Sequence, residues 1–110
     1  MKTTANLKDM TRGWFIGDFE PSAFNTDACE VGCKTYAAGE KESRHYHKLA
    51  TEVTLILRGR VKMNGVEKST GDIIVINPFE ATDFEVIEDT TTVVVKVPGA
   101  AQDKYDGTPD

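Results

Sequence analysis

The chain has 110 residues, a formal net charge of −5 and 39% apolar residues, which is the size and composition of one globular domain. The acidic balance argues against nucleic acid as a partner, because proteins that bind it present a basic face to the phosphates. The longest purely apolar run covers only 73–76, so the sequence predicts no transmembrane segment and no membrane partner. Without an apolar signal segment at the start, we expect a cytoplasmic protein.

The first third of the chain predicts short strands after an irregular start. Residues 1–12 have no clear period and are predicted as a flexible N-terminal segment. Residues 14–16 are aromatic and apolar and predict a strand that ends at the glycine and proline that follow. Residues 28–37 alternate between two faces, which predicts a half-buried strand. The polar stretch 40–44 then predicts a connection.

The rest of the chain continues as strands and turns. Asn64-Gly65 predicts a hairpin turn, because both positions tolerate positive φ, and Gly59 and Glu88-Asp89 predict further interruptions. The strands predicted from alternation and apolar runs are 45–47, 52–58, 60–63, 66–69, 73–76, 82–87 and 90–97. Residues 100–110 are polar and acidic and predict a C-terminal tail that is loose or draped on the surface. The ordered domain is therefore expected over residues 13–99.

This arrangement of eight or nine short strands, with no sustained helical period, is typical of an all-β sandwich or barrel. Several strands are apolar on both faces. In residues 52–58, Thr54 and Ile56 face one way, while Val53, Leu55 and Leu57 face the other. A lone sandwich would leave one of these faces in water, so we expect a second sheet from another subunit and hence a homodimer.

One segment contains metal-ligating residue types at a distinctive spacing. Gly39 is followed by five residues and His45, by one residue and His47, by four residues and Glu52, and by six residues and Gly59. On a strand, residues two apart point to one face, so both imidazoles are expected to face the barrel interior. Glu52 lies on an adjacent stretch and is expected to point its carboxylate at the same place. Two imidazoles and a carboxylate suit a divalent Fe, Mn, Ni, Co or Zn ion.

This spacing resembles the first conserved motif of the cupin superfamily at every fixed position. The resemblance covers about residues 28–97 and implies a small single-domain cupin, a double-stranded β-helix or jelly-roll barrel with its pocket inside. The family's second motif falls on Gly71–Phe84, and the opening Gly71-Asp72, the apolar strand, Pro78 and Phe84 fit it. Three positions depart from it: Asn77 replaces the usual Pro, Phe79 the usual Gly, and Thr82 the usual third His ligand.

The missing third histidine limits the metal site that the resemblance implies. The chain has only two histidines, so no other His can replace Thr82 within one subunit. The site is therefore either a three-ligand site of His45, His47 and Glu52 or a barrel without metal. Thr54, Thr82 and Arg58 are the residues that we expect to contact a ligand.

Three functions follow from these observations, and whether the protein is an enzyme stays open. The first is a metal-binding cupin that acts on a small polar or anionic molecule as an oxygenase, isomerase or lyase. The second is a metal-free enzyme that resembles the cupin-like sugar-nucleotide isomerases and epimerases, with His45 or His47 as the catalytic base and Glu52 setting its pKa. The third is a non-catalytic barrel that binds or senses a small molecule.

Overall fold

The computed structural model describes residues 4–110, which fold into an eight-stranded antiparallel sheet and a short 3₁₀ turn at Leu7–Asp9. The strands are β1 (Trp14–Ile16), β2 (Glu30–Tyr36), β3 (Lys41–Tyr46), β4 (Thr51–Met63), β5 (Val66–Ser69), β6 (Ile73–Ile76), β7 (Thr82–Val97) and β8 (Tyr105–Asp106). Within these residues no helix has the length and apolar character needed to span a bilayer.

The long strand β7 organises the sheet. Its C-terminal half pairs with β2 on one side and with β4 on the other, while its N-terminal half pairs with β3. The strand β4 in turn pairs with β5 and β6, and β1 and β8 lie at the two ends of the strand order. Because β4 and β7 are shared by several partners along their length, the sheet curls around an interior that most of the strands line.

Three strand boundaries differ from those that the sequence predicts. The strand β3 begins at Lys41, inside the stretch predicted as a connection, and β4 and β7 run through Gly59 and Glu88-Asp89 without interruption. Gly59 has φ +113°, and a Cβ there would lie 2.3 Å from Oγ1 of Thr90. The pairing of β4 with β7 shifts register on both sides of this glycine. The strand therefore bends at Gly59 through bulges, which local sequence signals read as a break.

The predicted hairpin turn between β4 and β5 is confirmed. Asn64 and Gly65 have φ values of 51° and 78°, the positive values that a two-residue hairpin needs. The backbone N–H of Asn64 donates to the Asp83 carboxylate at 2.7 Å, and its side-chain amide donates to the Ala81 carbonyl at 3.1 Å. These bonds fix the turn to the start of β7 and hold Asp83 outside the barrel.

A compact apolar cluster fills one end of the barrel interior. It consists of Ile56, Val61, Met63, Ile76, Phe84 and Val86. Ile56 and Val61 are fully buried, and Tyr36 and Ile74 pack against the cluster. We call this the closed end, because Ile56, Val61, Ile76 and Val86 do not line the cavity, which reaches the cluster only at Met63 and Phe84.

The C-terminal segment is fastened to the barrel. The Asp103 carboxylate is buried and accepts hydrogen bonds from the backbone N–H groups of Lys48, Leu49 and Ala50 at 2.9, 3.0 and 2.9 Å. The strand β8 then pairs with β3. The tail therefore lies against the segment that holds the histidines, which is the draped arrangement of the two that the sequence left open. In the predicted flexible segment 1–12, residues 1–3 lie outside the described part.

Candidate functional site

The cavity at the open end lies between β1, β2, β3, β4 and β7 and has a volume of about 430 Å³, within the range of small-molecule pockets. Thr11 and Arg12 reach its rim from the N-terminal segment, and Lys104 reaches it from the segment before β8. The cavity is therefore a product of the whole chain, with both ends contributing to its mouth.

The structure brings five of the six predicted site residues together. His45, His47, Glu52, Thr54 and Thr82 all line this cavity. Arg58 does not: its side chain is exposed and lines a separate surface cleft with Glu40 and Asp89. Strict alternation along β4 would place Arg58 on the inner face with Glu52 and Thr54. The register shift after Ile56 turns Arg58 outward, so the structure does not bring it together with the other five residues.

The two histidines present their rings to the cavity at right angles. His45 lies on β3 opposite Thr82, and His47 lies just after the end of the strand. Their ring centroids are 5.6 Å apart and the ring planes cross at 88°. Nδ1 of His45 lies 3.0 Å from the Ser43 carbonyl, which only accepts, so this nitrogen donates the hydrogen bond.

His47 is nearly fully buried, with 4% of its surface exposed. Its Nε2 atom has no hydrogen-bond partner among residues 4–110. Burial, followed by the nearby charges of Lys96 and His45, lowers the pKa of His47 to about 4. The imidazole is therefore neutral at pH 7, with an unpartnered nitrogen at the wall of the cavity.

Glu52 brings a carboxyl group to the same wall. It lies on β4, and its neighbour across the ladder on β7 is Lys96. Burial raises the pKa of Glu52, and this outweighs the attraction of Lys96 and His45, which lowers it. The environment thus lowers the pKa of His47 and raises that of Glu52. An imidazole and a carboxyl whose pKa values are shifted in opposite directions are suited to proton transfer.

Two lysine–glutamate pairs in the cavity were not predicted from the sequence. Nζ of Lys34 lies 3.8 Å from a Glu42 oxygen, and Nζ of Lys96 lies 4.0 Å from a Glu30 oxygen. Alternation separates Glu30 and Lys34 from their apolar neighbours on β2, but it does not say which face is inside. The strand pairing decides this: the apolar residues of β2 lie beside Val53 and Leu55 through β7, so its charged residues share the side of Glu52.

Trp14 covers the mouth above these two lysines. Nζ of Lys34 and Nζ of Lys96 lie 5.4 and 5.0 Å from the centroid of its ring, within the range of cation–π attraction. The ring packs on Gly32, where an added Cβ would lie 2.8 Å from it. Trp14 on the short strand β1 therefore packs against Gly32 and lies close to both ammonium groups.

Solved structures similar to this chain share one architecture. A Klebsiella pneumoniae protein with a double-stranded β-helix domain has a TM-score of 0.68 at 20% identity, over 76% of this chain and 74% of its own. A cupin superfamily protein from Desulfitobacterium hafniense has a TM-score of 0.61 at 13% identity, over 66% and 69%. This chain has the cupin fold. The predicted fold class is confirmed.

The cupin fold of this chain also occurs in an enzyme. The DMSP lyase DddQ from Ruegeria pomeroyi has a TM-score of 0.64 at 20% identity, over 81% of this chain and 46% of that protein. The sequence matches no family model and no curated protein sequence. At such identities the likeness establishes the fold, and the function of this chain has to be inferred from its own residues.

The side chains as placed do not form the three-ligand metal site that the cupin resemblance implies. In the part of the chain that the structure describes, no three His, Cys, Asp or Glu side chains lie close enough together to hold one ion. His45 and His47 are adjacent, but Thr82 offers only a hydroxyl where a third imidazole would stand, and Glu52 has the ammonium of Lys96 nearby. Two imidazoles are fewer protein ligands than a catalytic zinc site uses. Metal binding therefore stays a prediction.

Proposed function

We propose that this cupin binds a small polar molecule with a negatively charged group and exchanges protons with it through His47 and Glu52. The observation behind the proposal is the unpartnered Nε2 of His47, together with the unpartnered Thr92 hydroxyl, both buried in the wall of one cavity. A buried polar atom without a partner costs about 1–3 kcal/mol. A hydroxylated ligand that hydrogen-bonds to these atoms would recover that free energy.

The charges at the exposed rim of the cavity favour an anionic group there. Inside the cavity, Lys34 and Lys96 lie with Glu30, Glu42 and Glu52. The rim has two cations, Arg12 and Lys104, and one carboxylate, Glu20. We therefore place the charged end of the ligand at the mouth and its hydroxyl or carbonyl groups beside His47.

Proton transfer is the reaction class that these residues support. His47 is neutral at pH 7 because its pKa is about 4, so it accepts a proton without first losing one. Glu52 lines the same cavity and has a raised pKa, which suits a group that returns the proton at a second position. Removal and return of a proton next to a carbonyl is an isomerisation or epimerisation, and removal followed by loss of a leaving group is a lyase reaction.

Ligand titrations of the chelator-treated protein test this proposal. Gluconate, malate and glucose 6-phosphate are compared with neutral glucose, and backbone amide NMR shifts locate the binding site. We expect one of the anions to saturate the cavity and the His47→Gln variant to bind it more weakly by about tenfold, the loss of one hydrogen bond. The Arg58→Gln variant removes a cation outside the cavity and should bind normally.

Two results would contradict the proposal: equal shifts with glucose and the anions, or shifts confined to the outside of the barrel. Solvent exchange separates catalysis from binding. Deuterium incorporation into the bound compound, lost in His47→Gln, supports the enzyme. Tight binding without deuterium incorporation supports a non-catalytic barrel that binds or senses a small molecule.

A divalent metal at His45, His47 and Glu52 is a second candidate, because two imidazoles meet edge to face at the cavity and Nε2 of His47 is unpartnered. In that case the ion would polarise a bound oxygen of the ligand. The protein is loaded with Fe(II), Mn(II), Ni(II), Co(II) or Zn(II), desalted and analysed for metal beside the His45→Ala/His47→Ala double variant. Near-stoichiometric metal that the double variant loses supports the site, and equal metal in both proteins rejects it.

We also propose that a second copy of the chain covers the outer face of the β6–β4–β7 sheet, which makes the protein a homodimer. Ile73 and Val75 on β6 are 65% and 54% exposed. They pair with Leu55 and Val53 of β4, and these pair in turn with valines of β7. The patch is wholly aliphatic, so two copies related by a twofold axis bury it without bringing like charges together.

Light scattering after gel filtration tests the dimer. We expect the wild-type protein to elute as a dimer and the Ile73→Lys/Val75→Lys variant as a folded monomer. Val66→Lys is the matched control, because Val66 is 55% exposed but lies on the separate strand β5. A wild-type monomer, or a dimer that survives the double substitution, contradicts this arrangement.

A further inference from the structure

The amino group of Lys34 is a nucleophile in the cavity that the proposed proton transfer does not use. Lys34 lies on β2, and only 20% of its side chain is exposed. Its Nζ atom lies between two aromatic rings, 5.4 Å from the centroid of Trp14 and 5.6 Å from that of Tyr36. The amine is therefore held in place and shielded from water on two sides, while it still faces the cavity.

The surroundings of this amine shift its pKa downward. Burial is the largest influence and lowers the pKa of Lys34, and the charge of Lys96 adds to this, while Glu42 acts in the opposite sense. The two lysines share the ring of Trp14, since Nζ of Lys96 lies 5.0 Å from its centroid. Desolvation and a neighbouring cation are the two means by which proteins make a lysine nucleophilic at neutral pH.

Glu42 supplies a group that can move protons at the same atom. One of its carboxylate oxygens lies 3.8 Å from Nζ of Lys34, and both residues line the cavity. A carboxylate at this position can take a proton from the ammonium and later give one to an oxygen bound to the carbon under attack. The pair therefore has the two functions that carbonyl condensation needs, a free amine and an acid–base partner.

We propose that Lys34 forms a Schiff base with a small aldehyde or oxo acid that enters this cavity. Nζ attacks the carbonyl carbon, a C–N bond forms, and Glu42 passes one proton from nitrogen to the former carbonyl oxygen. Glu42 then takes the second proton from nitrogen and gives it to the hydroxyl, which leaves as water, and a C=N bond remains. Amine and carbonyl thus give imine and water, without an oxidant or reductant. The inference rests on the proposed function only in that the ligand occupies the same cavity.

The chain offers a matched control for this reactivity. Nζ of Lys41 lies 3.7 Å from a Glu85 oxygen, almost the same distance as in the Lys34–Glu42 pair, but its side chain is 71% exposed. Lys41 and Lys34 therefore differ in burial and in their aromatic and cationic neighbours, and not in having a carboxylate partner. Selective reaction at Lys34 would show that the cavity activates the amine.

Reductive trapping tests the proposal. The protein is treated with glyoxylate and cyanoborohydride, with glyoxylate limited so that each chain gains one adduct, and peptide mapping locates the added carboxymethyl group. We expect the adduct on Lys34 and none on Lys41 in the wild-type protein. The Lys34→Arg variant should lose this adduct, whereas Lys41→Arg should retain it. Circular dichroism confirms that both variants are folded.

Mapping in the wild-type protein decides the question even if Lys34→Arg does not fold. An adduct spread over exposed lysines, or one that favours Lys41, overturns the proposal. This result can be distinguished from that of the ligand titrations. Saturable binding of an anion in the cavity with no adduct on Lys34 would contradict the Schiff base and support the proposed function. An adduct on Lys34 without anion binding or proton exchange supports the Schiff base and removes the proposed proton transfer.

Discussion

The two ends of the barrel interior differ in chemistry although the same two strands line both. At the closed end, β4 and β7 contribute Ile56, Val61 and Val86, each no more than 2% exposed. At the open end, the same strands contribute Glu52 and Lys96 to a cavity with charged walls. A single strand thus changes from core to site along its length. The closed end supplies stability, so the open end can hold groups that weaken the fold.

The largest effect is expected at the closed end. Ile56→Ala removes a fully buried side chain from the apolar cluster and should lower the free energy of unfolding by about 2–5 kcal/mol. Urea unfolding followed by circular dichroism measures this loss. The control is Ile73→Ala, because Ile73 is 65% exposed and should lose less than about 1 kcal/mol in a dilute sample. Equal losses would mean that the closed end is not the main source of stability.

The free energy of unfolding should depend on pH because His47, at the open end, has a lowered pKa. The pKa of His47 falls from 6.5 to about 4 on folding, so the unfolded chain binds more protons between these values and acid favours unfolding. Stability from this group is complete above pH 6.5 and declines as the pH falls towards 4. The loss between about pH 7.5 and about pH 5 should be about 2 kcal/mol.

The His47→Gln variant isolates that contribution. Its free energy of unfolding should change less with pH than that of the wild-type protein over the same interval, because Gln does not titrate. Glu52 acts with the opposite sign: its raised pKa means that acid relieves a buried charge. Comparing the two proteins cancels the part that Glu52 contributes to both. Parallel pH profiles would show that His47 is not shielded from water.

A third prediction concerns the contact between the C-terminal tail and the segment that follows His47. Asp103→Asn replaces a carboxylate that accepts three backbone N–H groups and should cost about 1–3 kcal/mol. Burial alone would raise the pKa of Asp103, but these bonds outweigh it and the pKa is lowered. This stability is present above the unfolded value of 3.8 and is lost as the pH falls through the lower folded value. The exposed Asp106→Asn is the control, and a variant as stable as that control would refute the anchoring role.

The smallest effect, and one of opposite sign, is expected for Glu52→Gln. Burial raises the pKa of Glu52, so its ionised form is less stable in the folded protein than in the unfolded chain. Removing the charge should slightly raise the free energy of unfolding at neutral pH and abolish proton exchange with a bound ligand. A loss of stability would instead show that attraction to Lys96 outweighs the cost of burial.

Local sequence signals predicted much of this molecule. The hairpin at Asn64 was readable because a two-residue turn depends on φ values that few residues adopt. The spacing of His45, His47 and Glu52 was readable because strand alternation fixes which side chains share a face. Thr82 was singled out by its position in the family's second motif, and the structure places it in the wall of the cavity.

What the tertiary structure decided is which face of each strand points inward and where each strand bends. Alternation separated Lys34 from Cys33 but was silent on the inner face, and only pairing through β7 puts Lys34 beside the site. Strict alternation predicts that Arg58 shares the inner face with Glu52, but the bulge after Ile56 turns the Arg58 side chain to the outer face. Such choices depend on partners distant in the chain. They reflect the free energy of burying whole faces against one another, which no local pattern contains.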